Sequence, residues 1–190
     1  MPGMTAILSR RRFLLAAAAT AAASPAALAA GQAKKRQPYY GAEMVRFNSP
    51  ERLGTIIVNT GEKALYHIIA PGVAMRYGVA VGKAGFDWAG IAKVGRKVEW
   101  PVWTPPRSMI VRKPELAQWA KGMPGGPKNP LGARAIYLFA GGRDTLFRIH
   151  GTNEPWSIGS AASSGCIRML NQEVIELYDQ ITLGDKVIVI

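Results

Sequence analysis

The sequence has few of the side chains that most often carry chemistry: one cysteine and two histidines in 190 residues. A single cysteine excludes a disulfide within the chain, and this supply of ligands can hardly build a zinc site. Acidic residues are also scarce, 12 against 24 basic ones, so the formal charge is +12. Such a charge favours polyanionic partners, although a solvated basic surface explains it equally well.

Long apolar runs are missing except near the amino terminus. There, "SRRRFLL" is followed by an alanine-rich run and then "SPAALAAG". A basic start, an apolar middle and a small-residue end predict a secretory signal over residues 1–29, cleaved after Ala29. Arg10 and Arg11 resemble the pair of a twin-arginine export signal. The alternative is an uncleaved membrane anchor, but we expect a soluble protein in the bacterial periplasm.

Export limits the partners and makes the lone cysteine informative. Cleavage after Ala29 removes three arginines and no acids, which lowers the formal charge from +12 to about +9. An exported protein rarely meets nucleic acid, so anionic cell-wall polymers or membrane surfaces are the expected partners. An unpaired thiol is a liability in an oxidising compartment. Cys166 is therefore buried and inert, joins two chains, or is used in chemistry.

The pattern of residues predicts a mainly β fold. Residues 30–52 read as a linker or as an arm laid over the domain, and strand signals begin after them. "TGEK" and "GGRD" each separate two strand-like segments, which predicts two hairpins. Large side chains alternate with small or polar ones over residues 75–81, and residues 90–100 read as a further strand. Prolines exclude a central strand over residues 100–109 and mark a turn-rich loop at residues 122–132.

One helix is predicted near the carboxyl terminus. Val174, Leu177, Tyr178 and Ile181 recur at helical spacing and form one apolar stripe. Asn171 is the predicted N-cap. The final "DKVIVI" reads as a strand. The sequence therefore predicts strands packed with a single helix.

The cysteine and one histidine lie 16 positions apart in "IHGTNEPWSIGSAASSGCIRM". Strand alternation places Arg148 and His150 on one face of "TLFRIH". Gly151 allows a sharp turn and leaves a carbonyl accessible. The glycine of "SSGC" allows close backbone approach, and N–H groups at such a turn suit an oxyanion hole.

These residues suit nucleophilic catalysis by a thiol. An imidazole within reach converts a thiol to a thiolate, and a third group must hold the ring. No carboxylate occupies an obvious position, so a backbone carbonyl near Gly151 is the candidate. The alternative is an inert buried cysteine with an unrelated histidine at a strand end. A papain-like protease is disfavoured because its nucleophile precedes its base in sequence.

The string "HGTNEPWSIGSAASSGCIRMLNQEVIELY" closely resembles the signature of the L,D-transpeptidase catalytic domain (YkuD family). Upstream segments such as "RYGVAVGKAGF", "EWPVWTPPRSM" and "NPLGARAIYL" run as they do in such domains, so the resemblance extends over residues 53–190. It implies a β-sandwich with one packed helix near the carboxyl terminus. It also implies an enzyme that acts on the tetrapeptide stems of peptidoglycan and needs neither metal nor cofactor.

The resemblance also implies roles for single residues. Cys166 is the expected nucleophile, His150 the base and later the acid, and the Gly151 carbonyl the group that orients the ring. The N–H groups of Gly165 and Cys166 are expected to hold the oxyanion. The residues expected to contact the substrate lie near the nucleophile; they are Arg168, Ser164, Ser163 and Thr152. Ser164 occupies a position where many members of the family carry histidine.

The acyl acceptor is left open by the sequence. A diamino acid of another stem gives a cross-link, water gives an L,D-carboxypeptidase, and a free D-amino acid gives exchange. A lysine of an outer-membrane protein gives anchoring. A non-catalytic wall-binding module is the alternative of another class, although the intact motifs argue against it. Carbapenem-type β-lactams are expected to acylate Cys166.

His67 is expected to be a partly exposed strand residue, and Trp100 and Trp103 either line a groove or pack on the domain.

Overall fold

The computed structural model describes residues 41–83 and 88–190. The predicted secretory signal and its cleavage site lie outside these residues. The described residues form eleven β-strands, two α-helices and two 3₁₀ helices. The strands are β1 (Glu43–Arg46), β2 (Ile56–Asn59), β3 (Ala64–Ala70), β4 (Val73–Gly78), β5 (Val81–Gly82), β6 (Gly90–Glu99), β7 (Arg134–Ala140), β8 (Arg143–His150), β9 (Ala161–Ser163), β10 (Ile167–Arg168) and β11 (Lys186–Val189). The α-helices are α1 (Arg107–Arg112) and α2 (Asn171–Gln180), and the 3₁₀ helices are Pro114–Trp119 and Pro155–Ser157.

Nine of these strands form one mixed sheet in the order β1-β4-β3-β2-β11-β6-β7-β8-β10. The last strand, β11, lies in the middle, parallel to β2 and antiparallel to β6. It therefore joins the two groups of hairpin-connected strands. At one edge β10 pairs in parallel with β8. The remaining strands, β5 and β9, form a small parallel pair.

The core lies where α2 packs with the sheet. On the helix, Val174 and Leu177 are fully buried, and Ile181 follows directly after the last helical residue. Burying a side chain of this kind stabilises the fold by about 1.5–3 kcal/mol. The sheet contributes buried aliphatic residues from strands on both sides of β11, chiefly Ile56, Val58, Leu65, Ile136, Leu138, Ile149, Val187 and Val189.

The main elements confirm the sequence predictions. Both hairpins form, β2 with β3 and β7 with β8, and β6 occupies residues predicted as a strand. The predicted carboxyl-terminal helix and final strand are α2 and β11. The chain is mainly β, as expected.

Two segments differ from the predictions, and a third, residues 43–46, lies in the stretch for which a linker and an arm over the domain were both left open. Residues 75–81 do not form one continuous strand, because β4 ends at Gly78 and Ala80 instead forms a bridge with Arg168. Residues 43–46, predicted as linker or arm, form β1 and pair with β4. The helix α1 was not predicted, since none of its residues is buried and it carries no apolar stripe.

The structure also bears on the predictions made for single residues outside the site. His67 is not partly exposed: it lies in β3 with 4% of its surface exposed. Its pKa is lowered by burial. Trp100 is 48% exposed at a left-handed φ of 42°, whereas Trp103 is half-buried and its backbone bridges to Met123. Within residues 41–83 and 88–190, no helix has the length and apolar character needed to cross a membrane.

Candidate active site

His150 ends β8 and is almost completely buried, with 4% of its surface exposed. Its ring Nδ1 lies 2.6 Å from the Gly151 carbonyl oxygen. A carbonyl can only accept, so Nδ1 carries the proton in this bond and Nε2 presents a lone pair. The ring is therefore held as the tautomer that a general base requires.

Cys166 lies directly before β10 and is half-buried. The register of β10 and β8 places Arg168 beside His150 and Ile167 beside Ile149. Because strand side chains alternate, the residue before Ile167 projects from the same face as His150 and Arg168, while the two isoleucines face the core. The fold thus brings the cysteine and the histidine to one face of adjacent strands.

The turn that precedes Cys166 is closed by Ser163. The Ser163 hydroxyl donates to the Cys166 carbonyl at 2.5 Å and accepts from the Gly165 N–H at 3.1 Å. Gly165 has a φ of 118°, in the left-handed region that disfavours other residues. The glycine of "SSGC" is thus required by this turn, while the neighbouring Ser164 is exposed.

The surroundings of the pair favour neutral side chains at rest. Burial, with smaller contributions from Arg168 and Arg148, lowers the pKa of His150 to about 4, although its hydrogen bond to the Gly151 carbonyl acts in the opposite direction. Burial also raises the pKa of the Cys166 thiol. A backbone hydrogen bond from Arg148 and the charges of Arg148 and Arg168 oppose that rise. These three groups favour the thiolate once it forms.

The two arginines near the thiol are both fixed by carboxylates. Arg168 donates to Glu154 at 2.7 Å. Arg148 makes two bonds to Asp144, at 2.7 and 2.9 Å, and lies 4.1 Å from the centre of the Tyr137 ring. Arg148 was given no role from the sequence, although alternation had placed it on the face of His150. Arg148 and Cys166 are far apart in the sequence, so no local pattern indicates that they lie close together in the fold.

Asn171 is not the N-cap of α2, contrary to the prediction. Leu170 occupies that position and makes no side-chain capping bond. The Asn171 amide instead bonds the backbone of Ala133 and Thr152. These buried backbone groups need partners within the protein, and the side chain reaches them from the first residue of the helix.

The other predicted substrate contacts lie close to the pair in sequence and in the fold. Thr152 is 2% exposed, and its hydroxyl accepts from the Glu154 N–H at 2.9 Å. Ser163 is also 2% exposed. The hydroxyls of both residues are thus engaged by backbone groups, and their contact with substrate stays a prediction. An apolar recess reaches the turn at Gly165 and is lined by Val81, Gly82, Trp88, Phe147 and Ile167, among others.

Comparison with known proteins identifies the family. The model of the L,D-transpeptidase catalytic domain (YkuD) matches residues 54–189, well over half of the chain. The chain belongs to the L,D-transpeptidase catalytic domain family. It is 35% identical over 144 residues to the probable L,D-transpeptidase ErfK/SrfK of Escherichia coli. It is 32% identical over 145 residues to the probable L,D-transpeptidase YbiS of the same species. These matches cover 71% and 70% of this chain but only 43% of each relative.

Solved structures agree on the fold. A Brucella melitensis protein described as a probable carnitine operon oxidoreductase is 46% identical, with a TM-score of 0.57. That match covers 82% of this chain and 96% of the other. A mutant L,D-transpeptidase of Enterococcus faecium has a TM-score of 0.50 at 17% identity, over 73% of this chain and 50% of that one. At this identity the second match concerns the fold alone. This L,D-transpeptidase family fold is mainly β, as the sequence predicted.

Proposed function

We propose that this protein is an L,D-transpeptidase that acts on peptidoglycan tetrapeptide stems through an acyl-enzyme on Cys166. The observation that carries the proposal is the bond from His150 Nδ1 to the Gly151 carbonyl, at 2.6 Å. It leaves Nε2 as a base on the face that Cys166 shares. Family membership supports the reaction class, and the residue roles and the substrate are our proposal.

The first half-reaction forms a thioester. The Cys166 sulfur attacks the carbonyl carbon of the third stem residue while His150 Nε2 takes the thiol proton. The resulting tetrahedral oxyanion collapses, the bond to the terminal D-alanine nitrogen breaks, and His150 returns the proton to that leaving amine. A neutral base and a neutral thiol are the reactants that this step requires, which agrees with the pKa directions of the buried pair.

The backbone N–H groups of Cys166 and Gly165 are the proposed oxyanion donors. At rest the Gly165 N–H donates to Ser163 Oγ at 3.1 Å. This donor must therefore exchange its partner when the oxyanion forms, and a negatively charged oxygen is the stronger acceptor. We propose that Arg168, already paired with Glu154, faces a carboxylate of the stem, with Ser164 and Thr152 beside it.

The second half-reaction transfers the acyl group to an amine. The side-chain amine of another stem's diamino acid attacks the thioester and His150 takes its proton. The carbon–sulfur bond then breaks, and His150 returns the proton to the sulfur, which restores the Cys166 thiol. The product is a cross-link between two third-position residues. Water, a free D-amino acid or a lysine of an outer-membrane protein are the other acceptors that the same acyl-enzyme can use.

Mass spectrometry of products from purified disaccharide-tetrapeptide tests this function. We expect a dimer that has lost one D-alanine, absent with Cys166→Ala and with His150→Ala. Tripeptide alone identifies a carboxypeptidase, and incorporation of an added D-amino acid identifies exchange. A wild-type protein without turnover that still binds peptidoglycan supports a wall-binding module instead and contradicts the catalytic proposal.

We also propose that the protein is exported to the periplasm, where peptidoglycan is available. The support is the twin-arginine pattern at Arg10 and Arg11, followed by the alanine-rich run.

A further inference from the structure

The amide of Asn171 joins two backbone segments beside His150. Its Oδ1 accepts from the Ala133 N–H at 3.0 Å and from the Thr152 N–H at 3.1 Å. Its Nδ2 donates to the Thr152 carbonyl at 2.9 Å. The side chain thus bonds both backbone groups of Thr152 and ties this residue to the start of β7.

The peptide that Asn171 holds is the one whose carbonyl orients His150. The Thr152 N–H and the Gly151 carbonyl belong to the same peptide unit, which is planar and trans, so the two groups point in opposite directions. The N–H bonds Asn171, and the carbonyl accepts from His150 Nδ1 at 2.6 Å. Fixing one side of this unit fixes the other. Hydrogen bonds in series also polarise one another, which makes the carbonyl a better acceptor.

Two glycines make the room that the amide occupies. A Cβ on Gly151 would lie 2.1 Å from Asn171 Oδ1, and a Cβ on Gly132 would lie 2.2 Å from it. Both distances are far shorter than any non-bonded contact between a carbon and an oxygen atom. Gly151, directly after His150, therefore leaves room for the Asn171 side chain and also allows the backbone to turn. The backbone of His150 is held as well, because its carbonyl accepts a hydrogen bond from the Met169 N–H at 2.8 Å.

We propose that Asn171 is a positioning residue for the base: through the Gly151–Thr152 peptide it holds the His150 ring in the orientation and tautomer that accept a proton from Cys166. The inference rests on the proposed role of His150 as base. It does not depend on which stem or acceptor the enzyme uses.

Alkylation of Cys166 by iodoacetamide, followed by intact mass, tests this role without any cell-wall substrate. In this reaction the sulfur displaces iodide and the thiol proton passes to His150 or to solvent. We compare the full-length wild type, Asn171→Ala, His150→Ala and the double variant. We expect Asn171→Ala to slow alkylation by about 10-fold, by analogy with the loss that follows removal of the hydrogen-bond partner of a metal-bound histidine. In the His150→Ala background we expect the same change to have no further effect.

Two further variants separate positioning from general damage. Gln172, the next residue of α2, is exposed, so Gln172→Ala should alkylate at the wild-type rate. Asn171→Ser leaves space that water can fill and serves in the cycle if Asn171→Ala proves unfolded by thermal melting. In ¹⁵N spectra the His150 resonances, identified by their loss in His150→Ala, should report the Nδ1–H tautomer in wild type and a mixture in the Asn171 variant.

Two results would overturn the proposal. One is a wild-type alkylation rate with a wild-type tautomer in the folded Asn171 variant. The other is equal slowing with and without His150, which would show that Asn171 acts independently of the ring. A wild type that alkylates through His150 but does not process stems would contradict the proposed function alone and leave the positioning role supported.

Discussion

At the scale of single residues, the proposed chemistry belongs to a nearly buried histidine and a half-buried cysteine. His150 is almost fully buried, with one ring nitrogen bonded to a backbone carbonyl. Burial lowers its pKa to about 4 and raises the pKa of Cys166. In the proposed reaction the proton therefore moves as the thiol attacks, and the charges of Arg148 and Arg168 favour the thiolate.

The lowered pKa of His150 predicts activity far into the acid range. The base must be neutral to accept a proton, so kcat/KM should fall only as the pH drops through about 4. A pH–rate profile on disaccharide-tetrapeptide measures this limb. His67→Gln should leave it in place, because His67 lies in β3 and takes no part in the proposed reaction. An acid limb near the ordinary histidine value of about 6.5 would contradict the buried neutral state.

The same shift predicts a pH-dependent stability. In the unfolded chain His150 binds its proton near pH 6.5, whereas in the folded chain it does so only near pH 4. Between these values the unfolded state holds more protons, so the free energy of unfolding falls as the pH is lowered. The loss from pH 7 to pH 4.5 is about 2 kcal/mol. Urea unfolding measures it, and His150→Gln should lose this part of the pH dependence.

The proposed nucleophile predicts covalent modification by a carbapenem. Opening of the β-lactam ring by Cys166 adds the whole inhibitor mass, because no leaving group departs in that step. Intact mass spectrometry should show this single addition in wild type and none in Cys166→Ala. An unmodified wild type after long incubation would count against a reactive thiol.

At the scale of elements, the site depends on where strands and turns end. His150 lies at the end of β8, Cys166 precedes β10, and α2 begins at Asn171. The parallel register of β8 and β10 brings the first two together, and the helix start supplies the amide. Gly151, after β8, is needed for the close approach of Asn171, whereas Gly165, before Cys166, is needed for its left-handed φ.

A pair of glycine variants separates close approach from backbone conformation. Gly132 and Gly141 both have left-handed φ, 64° and 56°, but only Gly132 has atoms that a Cβ would strike. We expect Gly141→Ala to cost about 1 kcal/mol for its conformation. Gly132→Ala should cost a further 1–3 kcal/mol, roughly, for the clash with Asn171 and with the backbone of Gly151 and Thr152. Urea unfolding of both variants gives the difference, and equal losses would contradict the packing described.

At the scale of the whole molecule, the positive charge of the chain bears on the partners it meets if it is exported as proposed. The chain carries +12, and three of these charges lie in the predicted signal at residues 10–12. A strongly basic protein accumulates at anionic polymers and surfaces. If the protein is exported as proposed, anionic polymers of the cell envelope are within its reach, whereas cytoplasmic nucleic acid is not.

The export proposal predicts a specific dependence on the arginine pair. Replacing both Arg10 and Arg11 by lysine keeps the charge but should abolish transport through a twin-arginine route. Immunoblots of periplasmic and cytoplasmic fractions measure the outcome, with Arg12→Lys as the matched control. Unchanged periplasmic protein in the double variant would instead indicate a general secretory signal.

The sequence by itself determined the class of fold and the chemistry-bearing motif. Local alternation and helical spacing depend on neighbouring residues, so both hairpins, β6, α2 and β11 were predictable. The rarity of cysteine and histidine, with a glycine beside each, made Cys166 and His150 candidates but left an inert pair open. The resemblance of the surrounding string to a known signature then supplied the expected roles.

Only the tertiary structure decided how those residues are arranged. The central place of β11 and the edge pairing of β10 with β8 depend on which distant strands bond, and no local pattern encodes that choice. The contact of Arg148 with the thiol and the bonds of Asn171 to Ala133 and Thr152 follow from those pairings. An amide at a helix start can cap the helix or reach another segment. Which of these occurs depends on the buried backbone groups that the fold brings within its reach.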